Sequence, residues 1–111
     1  MSKRQPQLLI EDITESSNKI LEYTSGMSFI EFNNDTKTID AVIRNFEIIG
    51  EAANRLPEDF KQEHTRVDWH KIRGFRNRIV HDYMGIDNGI VWDIKMNFLP
   101  ELIKALKVIK F

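Results

Sequence analysis

The chain has 111 residues, of which 41% are hydrophobic and 30% are charged, with a formal net charge of −1. This length predicts one domain over residues 1–111, and the composition is typical of a soluble globular protein. The nearly neutral charge argues against a broad, non-specific nucleic-acid binder, so any contact with RNA should be local. The absence of cysteine excludes disulfides, thiolate metal sites and cysteine nucleophiles.

The chain shows no segment that predicts insertion into a membrane. No apolar run approaches the roughly 20 residues that a membrane-spanning helix needs. The first seven residues are polar and lack the apolar core of a signal peptide. We therefore expect a cytoplasmic protein without a membrane partner.

Two long helices are predicted in the first half of the chain. The first spans about 7–23, with an inner stripe of Leu9, Ile13, Ser16, Ile20 and Tyr23. Gly26 should end it, and a capping box between Ser28 and Glu31 should open a short helix. Asp35 or Thr36 should cap the second long helix, which is expected to stop at Pro57.

The second long helix carries two faces that bear on function. Gly50 and Ala53 are small, so another helix can approach closely there. On the polar side, four residues follow helical spacing: Arg44, Glu47, Glu51 and Asn54. That spacing is typical of a solvated face with ion pairs, and it equally suits a polar wall beside a functional site.

The second half of the chain predicts two more long helices after a polar connection at 58–66. Asp68 should cap the third, over about 69–81, whose buried edge is Trp69, Ile72, Phe75 or Arg76, Ile79 and Val80. Gly85 suits its exit, and Asp87 or Asn88 should start the last helix. The stripe of that helix is Ile90, Val91, Ile94, Phe98, Leu102, Leu106 and Ile109. Pro100 should kink or break it near Asn97. The sequence thus predicts an all-α antiparallel bundle of four long helices plus short helical turns.

The candidate site lies in the stretch 76–83, which reads Arg-Asn-Arg-Ile-Val-His-Asp-Tyr. Arg76 offers a planar fork of donors that matches phosphate oxygens, and His81 can exchange a proton near neutral pH. Asn77 lies one helical turn before His81 and can orient its imidazole. Spacing alone leaves a plain alternative open, because a histidine near a helix C-terminus interacts favourably with the helix dipole. His64 and His70 are weaker candidates, and no metal site is expected.

The same stretch resembles the Arg-x4-His-x-Tyr motif of the HEPN superfamily, in its HepT-like branch, with Arg76, His81 and Tyr83 all present. The resemblance extends over nearly the whole chain. It includes residues 40–45 and 48–53 of the second long helix, Trp69 before the motif, and Val91-Trp92 and Leu99-Pro100-Glu101-Leu102 after it.

The resemblance implies a dimeric all-α ribonuclease toxin that needs no cofactor or metal. Its partner would be a minimal nucleotidyltransferase antitoxin, MntA, which transfers AMP to the motif tyrosine, here Tyr83. Arg76, His81 and Tyr83 would be catalytic. The expected supporting residues are Asn77, Arg73, Arg44, Glu47 and Glu51. We expect a dimer interface around the third helix, using Trp69, Phe75 and Ile79.

A second interpretation belongs to a different class of protein. Related HEPN proteins resemble nucleotide- or substrate-binding companions of nucleotidyltransferases. Arg76, Arg73 and Glu47 would then hold a nucleotide, and no RNA would be cut. A structural dimer with a vestigial groove is the third interpretation.

Overall fold

A computed structural model describes residues 4–81 and 87–111, with Val80 and His81 described in their backbone only. These residues form helices joined by short connections, and no strand occurs among them, which confirms the all-α class. The elements are α1 (Pro6–Tyr23), α2 (Phe29–Asn33), α3 (Thr36–Arg55), α4 (Glu58–Glu63), α5 (Trp69–His81), α6 (Asn88–Asp93), a π-helical turn (Ile94–Phe98) and α7 (Leu99–Lys107). None of the described helices is long and apolar enough to cross a bilayer.

The predicted helix starts are confirmed by hydrogen bonds from side chain to backbone. The Ser28 hydroxyl accepts from the Glu31 N–H at 3.2 Å, while the Glu31 carboxylate accepts from the Ser28 N–H at 3.0 Å, completing the capping box. These bonds lower the pKa of the Glu31 carboxyl. Carboxylates accept at three further starts, namely Asp35 at α3, Asp68 at α5 and Asp87 at α6.

Gly26 ends the turn after α1, as predicted, with φ at 75°. This left-handed conformation is accessible to glycine without the steric cost that a Cβ carries. The chain can therefore reverse direction between Tyr23 and Ser28 and bring α3 back against α1.

A continuous core joins the long helices. Helix α3 packs against α1 on one side and against α5 on the other. The Phe75 ring of α5 bridges two elements, because it meets Phe46 of α3 at 5.3 Å and Phe98 of the π-helical turn at 5.7 Å, both edge to face. Fully buried large side chains are Phe32, Phe46, Leu9, Ile13, Ile20, Ile49, Ile72, Ile79, Leu99 and Leu102.

Helices α3 and α5 run in opposite directions. Glu51 on α3 contacts Arg76 on α5, whereas Ala53, further along α3, lines a cleft with Ile72, which lies earlier on α5. Later residues of α3 thus meet earlier residues of α5. The arrangement of all four long helices as an antiparallel bundle, and the dimer, stay predictions.

The sequence predicts a kink or break near Asn97 because of Pro100, and the regular α-helical ladder is interrupted there by a π-helical turn. Proline has no N–H and its ring crowds the carbonyl four residues earlier. The backbone accommodates this with the π-helical turn over Ile94–Phe98, and both residues that flank the turn, Asp93 and Leu99, keep right-handed helical angles.

Two predictions about side chains are wrong. Tyr23 does not belong to the buried stripe of α1, because its side chain is 40% exposed. The last buried residue of that stripe is Ile20. Phe75 and Ile79 are not spare for a dimer contact, since both are buried in the core of the chain itself. The sequence leaves open whether Phe75 or Arg76 lies inside at the buried edge of α5. Phe75 takes the core position, and Arg76 lies at the margin of the core.

Candidate functional site

Arg76 is clamped between α5 and α3. Its stem lies against Gly50, where a Cβ would come within 2.5 Å of the Arg76 Cβ and still closer to its Cγ. Its Nη2 donates to Glu51 Oε1 at 2.6 Å, and the side chain is 28% exposed. Gly50 therefore provides the space, and Glu51 the anchor, that set the direction of this guanidinium.

The ion pair with Glu51 leaves Arg76 able to bind an anion. A guanidinium has five N–H donors, and only Nη2 contacts the carboxylate. Its Nε has no hydrogen-bond partner in the part of the chain that the structure describes, but it is buried, so an anion must be bound by the remaining Nη donors. Because Glu51 is half exposed, the pair contributes about 1 kcal/mol or less to stability. It orients Arg76 more than it stabilises the fold.

Gly50→Ala should strongly lower the RNA cleavage that the resemblance implies, while the helices persist. The added methyl group has no room beside the Cβ of Arg76, so α5 must shift away from α3 and carry Arg76 with it, whereas alanine suits a helix better than glycine does. Steady-state cleavage together with circular dichroism checks this expectation. The matched control is Gly74→Ala on α5, where a Cβ would meet nothing within 4 Å. Unchanged cleavage by Gly50→Ala would show that the position of Arg76 is unimportant.

The structure describes less of His81 and Tyr83 than of Arg76. Helix α5 is described as far as His81, so the His81 backbone lies about 7.5 Å along the axis beyond Arg76. Because α3 runs antiparallel, this direction leads from Glu51 towards Glu47 and Arg44. The side chain of His81 is not described, and Tyr83 and Gly85 lie outside the described residues.

The expected supporting residues divide into two groups. Glu51 meets Arg76 directly, and Arg73 lies one turn before Arg76, where its Nη2 approaches Glu58 at 3.8 Å. Arg44 and Asn77 are exposed and Glu47 is partly buried, and none of the three forms an ion pair or side-chain hydrogen bond within the described residues. The polar face of α3 thus contacts Arg76 at Glu51. At Arg44 the same face is exposed to solvent.

Lys61 is a candidate that the sequence did not single out. It lies on α4, yet only 8% of it is exposed, and it lines a small cleft with Arg73 and Arg76. The one signal in the sequence is Glu58, three residues earlier on the same short helix, with the Lys61 Nζ 3.4 Å from its carboxylate. The described residues contain no cluster of three histidines or carboxylates able to hold a metal ion.

Comparison with known proteins identifies the class. A family model described as ribonuclease HepT-like matches residues 13–109. The chain is 40% identical to a candidate RNase of Methanocaldococcus jannaschii, over 98% of this chain and 90% of the relative. It is 36% identical to a candidate RNase of Caldanaerobacter subterraneus, over 94% of this chain and 93% of the relative. It is 38% identical to a protein assigned as ribonuclease HepT in Thermococcus cleftensis, over 90% and 91%.

The chain belongs to the HepT-like ribonuclease family. This confirms the family that the motif around Arg76 and His81 indicated, and with it the enzyme class, an endoribonuclease. No solved structure matches the chain.

Proposed function

We propose that this protein is a metal-independent endoribonuclease toxin of a toxin–antitoxin pair, with Arg76, His81 and Tyr83 at its active centre. One observation carries the proposal. In a chain of the HepT-like ribonuclease family, Arg76 is held by Gly50 and Glu51 with guanidinium donors left over. Arg76 is thus a fixed cation with free donors, on the helix that leads to His81. Such a cation is suited to binding a phosphodiester.

The chemistry uses the nucleophile that RNA itself supplies. The ribose 2′-hydroxyl loses its proton to a base, and its oxygen bonds to the phosphorus. The bond from phosphorus to the 5′-oxygen then breaks as that oxygen takes up a proton. The products are a 2′,3′-cyclic phosphate and a free 5′-hydroxyl. His81 serves in proton transfer, Arg76 stabilises the charge that develops on the phosphorane oxygens, and Tyr83 positions the phosphate.

Two proton transfers are needed, and the motif supplies one histidine per chain. A two-fold homodimer would bring a second His81 to the same groove. Because Phe75 and Ile79 are buried within the chain, the surface for this dimer must come from other residues. The partner in regulation is an MntA-like nucleotidyltransferase, and both proteins would act in the cytoplasm.

The activity is tested by incubating the purified protein with a labelled RNA of mixed sequence in excess EDTA. We expect cleavage, fragments that end in a 2′,3′-cyclic phosphate, and a mass by light scattering twice the 13.1 kDa of one chain. A 2′-deoxy analogue of the same strand is the matched control and should stay intact. Cleavage that stops in EDTA would contradict the metal-free mechanism.

The same assay separates the non-catalytic alternative. A binding companion of a nucleotidyltransferase would leave RNA intact under all conditions and would bind a nucleotide through Arg76, Arg73 and Glu47.

A further inference from the structure

Beyond Arg76, on the side away from His81, three cations lie where residues of α4 and α5 line a common cleft. Lys61, Arg73 and Arg76 line one small cleft together with Gly50, Ala53 and Ile72. Their exposures differ, because Arg73 is an open surface residue, Arg76 is half-buried and the Lys61 side chain is only 10% exposed. A lysine is seldom buried this far unless an anion is paired with it.

A single carboxylate oxygen holds two of these cations. Glu58 Oε1 lies 3.4 Å from the Lys61 Nζ and 3.8 Å from the Arg73 Nη2. Glu58 is itself 71% exposed, so its hold on the cations is loose and solvent reaches it. It occupies the place that an oxygen of a bound anion would take between an ammonium and a guanidinium.

The space beside these cations is sufficient for a phosphate group. The inner cleft next to Arg76 measures about 20 Å³, which holds one water molecule. It adjoins a wider cleft of about 270 Å³ between α4 and α5, also lined by Lys61 and Arg73 and closed on one side by Trp69 and Thr65. A phosphate in the wider cleft would contact Lys61 and Arg73 and lie one helical turn from the phosphate at Arg76.

We propose that Lys61 and Arg73 form a second phosphate subsite, which binds a backbone phosphate of the RNA neighbouring the one that is cleaved. Glu58 occupies this subsite in the free protein and is displaced when RNA binds. The inference rests on the proposed ribonuclease function, because it takes RNA as the ligand. It assigns Lys61 and Arg73 to binding and leaves the chemistry to Arg76 and His81.

The effect of removing the Glu58 charge distinguishes this subsite from an ion cluster that only supports the fold. If the cluster were structural, Glu58 would be needed and its loss would weaken the protein. If Glu58 is a displaceable counter-ion, its loss should strengthen RNA binding, because the phosphate no longer competes with a carboxylate for the same two cations. The two roles therefore predict opposite responses of RNA affinity to Glu58→Gln.

Binding is measured on the protein carrying His81→Ala, so that a short single-stranded RNA is bound and not cleaved. Fluorescence of Trp69, isolated with Trp92→Phe, reports occupancy of the wider cleft. In this background Lys61→Met and Arg73→Met should each raise Kd about tenfold, as expected for one lost hydrogen bond to a charged group. Each should also reduce the slope of log K against log salt by about 0.7. Glu58→Gln should lower Kd.

A second pair on α7 provides the matched controls. Lys104 pairs with Glu101 at 3.9 Å with the same three-residue spacing as Lys61 and Glu58, but its side chain is 76% exposed and it lies away from Arg76. Lys104→Met and Glu101→Gln should leave Kd and the salt slope unchanged. Thermal unfolding of every variant by circular dichroism shows whether it folds.

The outcomes separate the two proposals. If the wild-type protein cleaves RNA but Lys61→Met and Arg73→Met bind it as tightly as their parent, the subsite is wrong and the ribonuclease stands. The subsite is equally wrong if folded Glu58→Gln binds more weakly, or if Lys104→Met matches Lys61→Met. If Lys61→Met fails to fold, Arg73→Met and Glu58→Gln decide, since both change exposed residues. Wild-type protein that does not cleave RNA overturns the proposed function instead.

Discussion

His81→Ala should slow RNA cleavage by a factor of about 10² to 10⁴, the range expected for loss of a general acid or base. Arg76→Ala should slow it by about 10² to 10³, since one fixed donor to the developing charge is removed. The two effects have different causes. His81 is proposed to move protons, so its loss should remove the dependence of the rate on pH near neutrality, whereas Arg76 takes no part in proton transfer and its loss should leave the shape of the pH profile intact.

Both variants should keep the helical fold. Arg76 lies at the margin of the core, and its pair with the half-exposed Glu51 contributes about 1 kcal/mol or less. Arg78→Ala and His64→Ala are the controls. Arg78 is an exposed arginine at a variable position between Arg76 and His81, and His64 is a half-buried histidine that lies outside the motif and packs on Phe60 at 4.4 Å. Rates are compared at equal enzyme concentration by single turnover. Cleavage at the wild-type rate by either motif variant would remove that residue from the active centre.

Transfer of AMP to Tyr83 should abolish cleavage, the second large effect that we expect. The phosphodiester formed on the tyrosine oxygen places a negative charge two residues after His81, and pyrophosphate leaves from ATP. That charge would pair with Arg76, which has donors to spare, and the adenosine would fill the entrance to the groove. One modification thus removes both the electrostatic attraction for RNA and the access to it.

The position of the AMP is checked by incubating the protein with the proposed MntA-like nucleotidyltransferase and ATP, followed by peptide mass spectrometry. Tyr83→Phe is the matched variant, which should accept no AMP and whose cleavage rate should be unchanged by the incubation. Tyr23, the other tyrosine of the chain, is 40% exposed, so its lack of AMP would reflect recognition and not burial. Modification of Tyr23, or full ribonuclease activity after Tyr83 carries AMP, contradicts this mechanism.

Short-range features of the chain were predictable from sequence because their causes lie within four residues. The caps at Ser28, Asp35, Asp68 and Asp87 depend on a side chain and the N–H groups two or three positions later, and each forms as expected. The same locality explains why the motif could be recognised. Arg76, His81 and Tyr83 are close in sequence, and their proposed roles follow from their residue types.

Burial at the end of an apolar helix stripe was harder to predict from sequence than burial in its middle. Tyr23 continues the periodicity of α1 but lies in its last turn, where no neighbouring helix covers it, so it faces solvent. Periodicity states which residues share a face, and only packing states how far along the helix that face is covered. Phe75 and Ile79 show the opposite error. The sequence suggested that both were available to a dimer partner, but both are buried in the core of the chain itself.

The sequence by itself determined the all-α class, the N-terminal caps of α2, α3, α5 and α6, and the family, because these depend on local spacing and residue type. Only the tertiary structure decided which residues from other helices meet Arg76. Gly50 and Glu51 reach Arg76 from 25 or more positions away, and Lys61 arrives from α4 to join Arg73. The physical reason is that the antiparallel packing of α3 on α5, and the placement of α4 beside them, follow from burial of the whole core and not from any single segment.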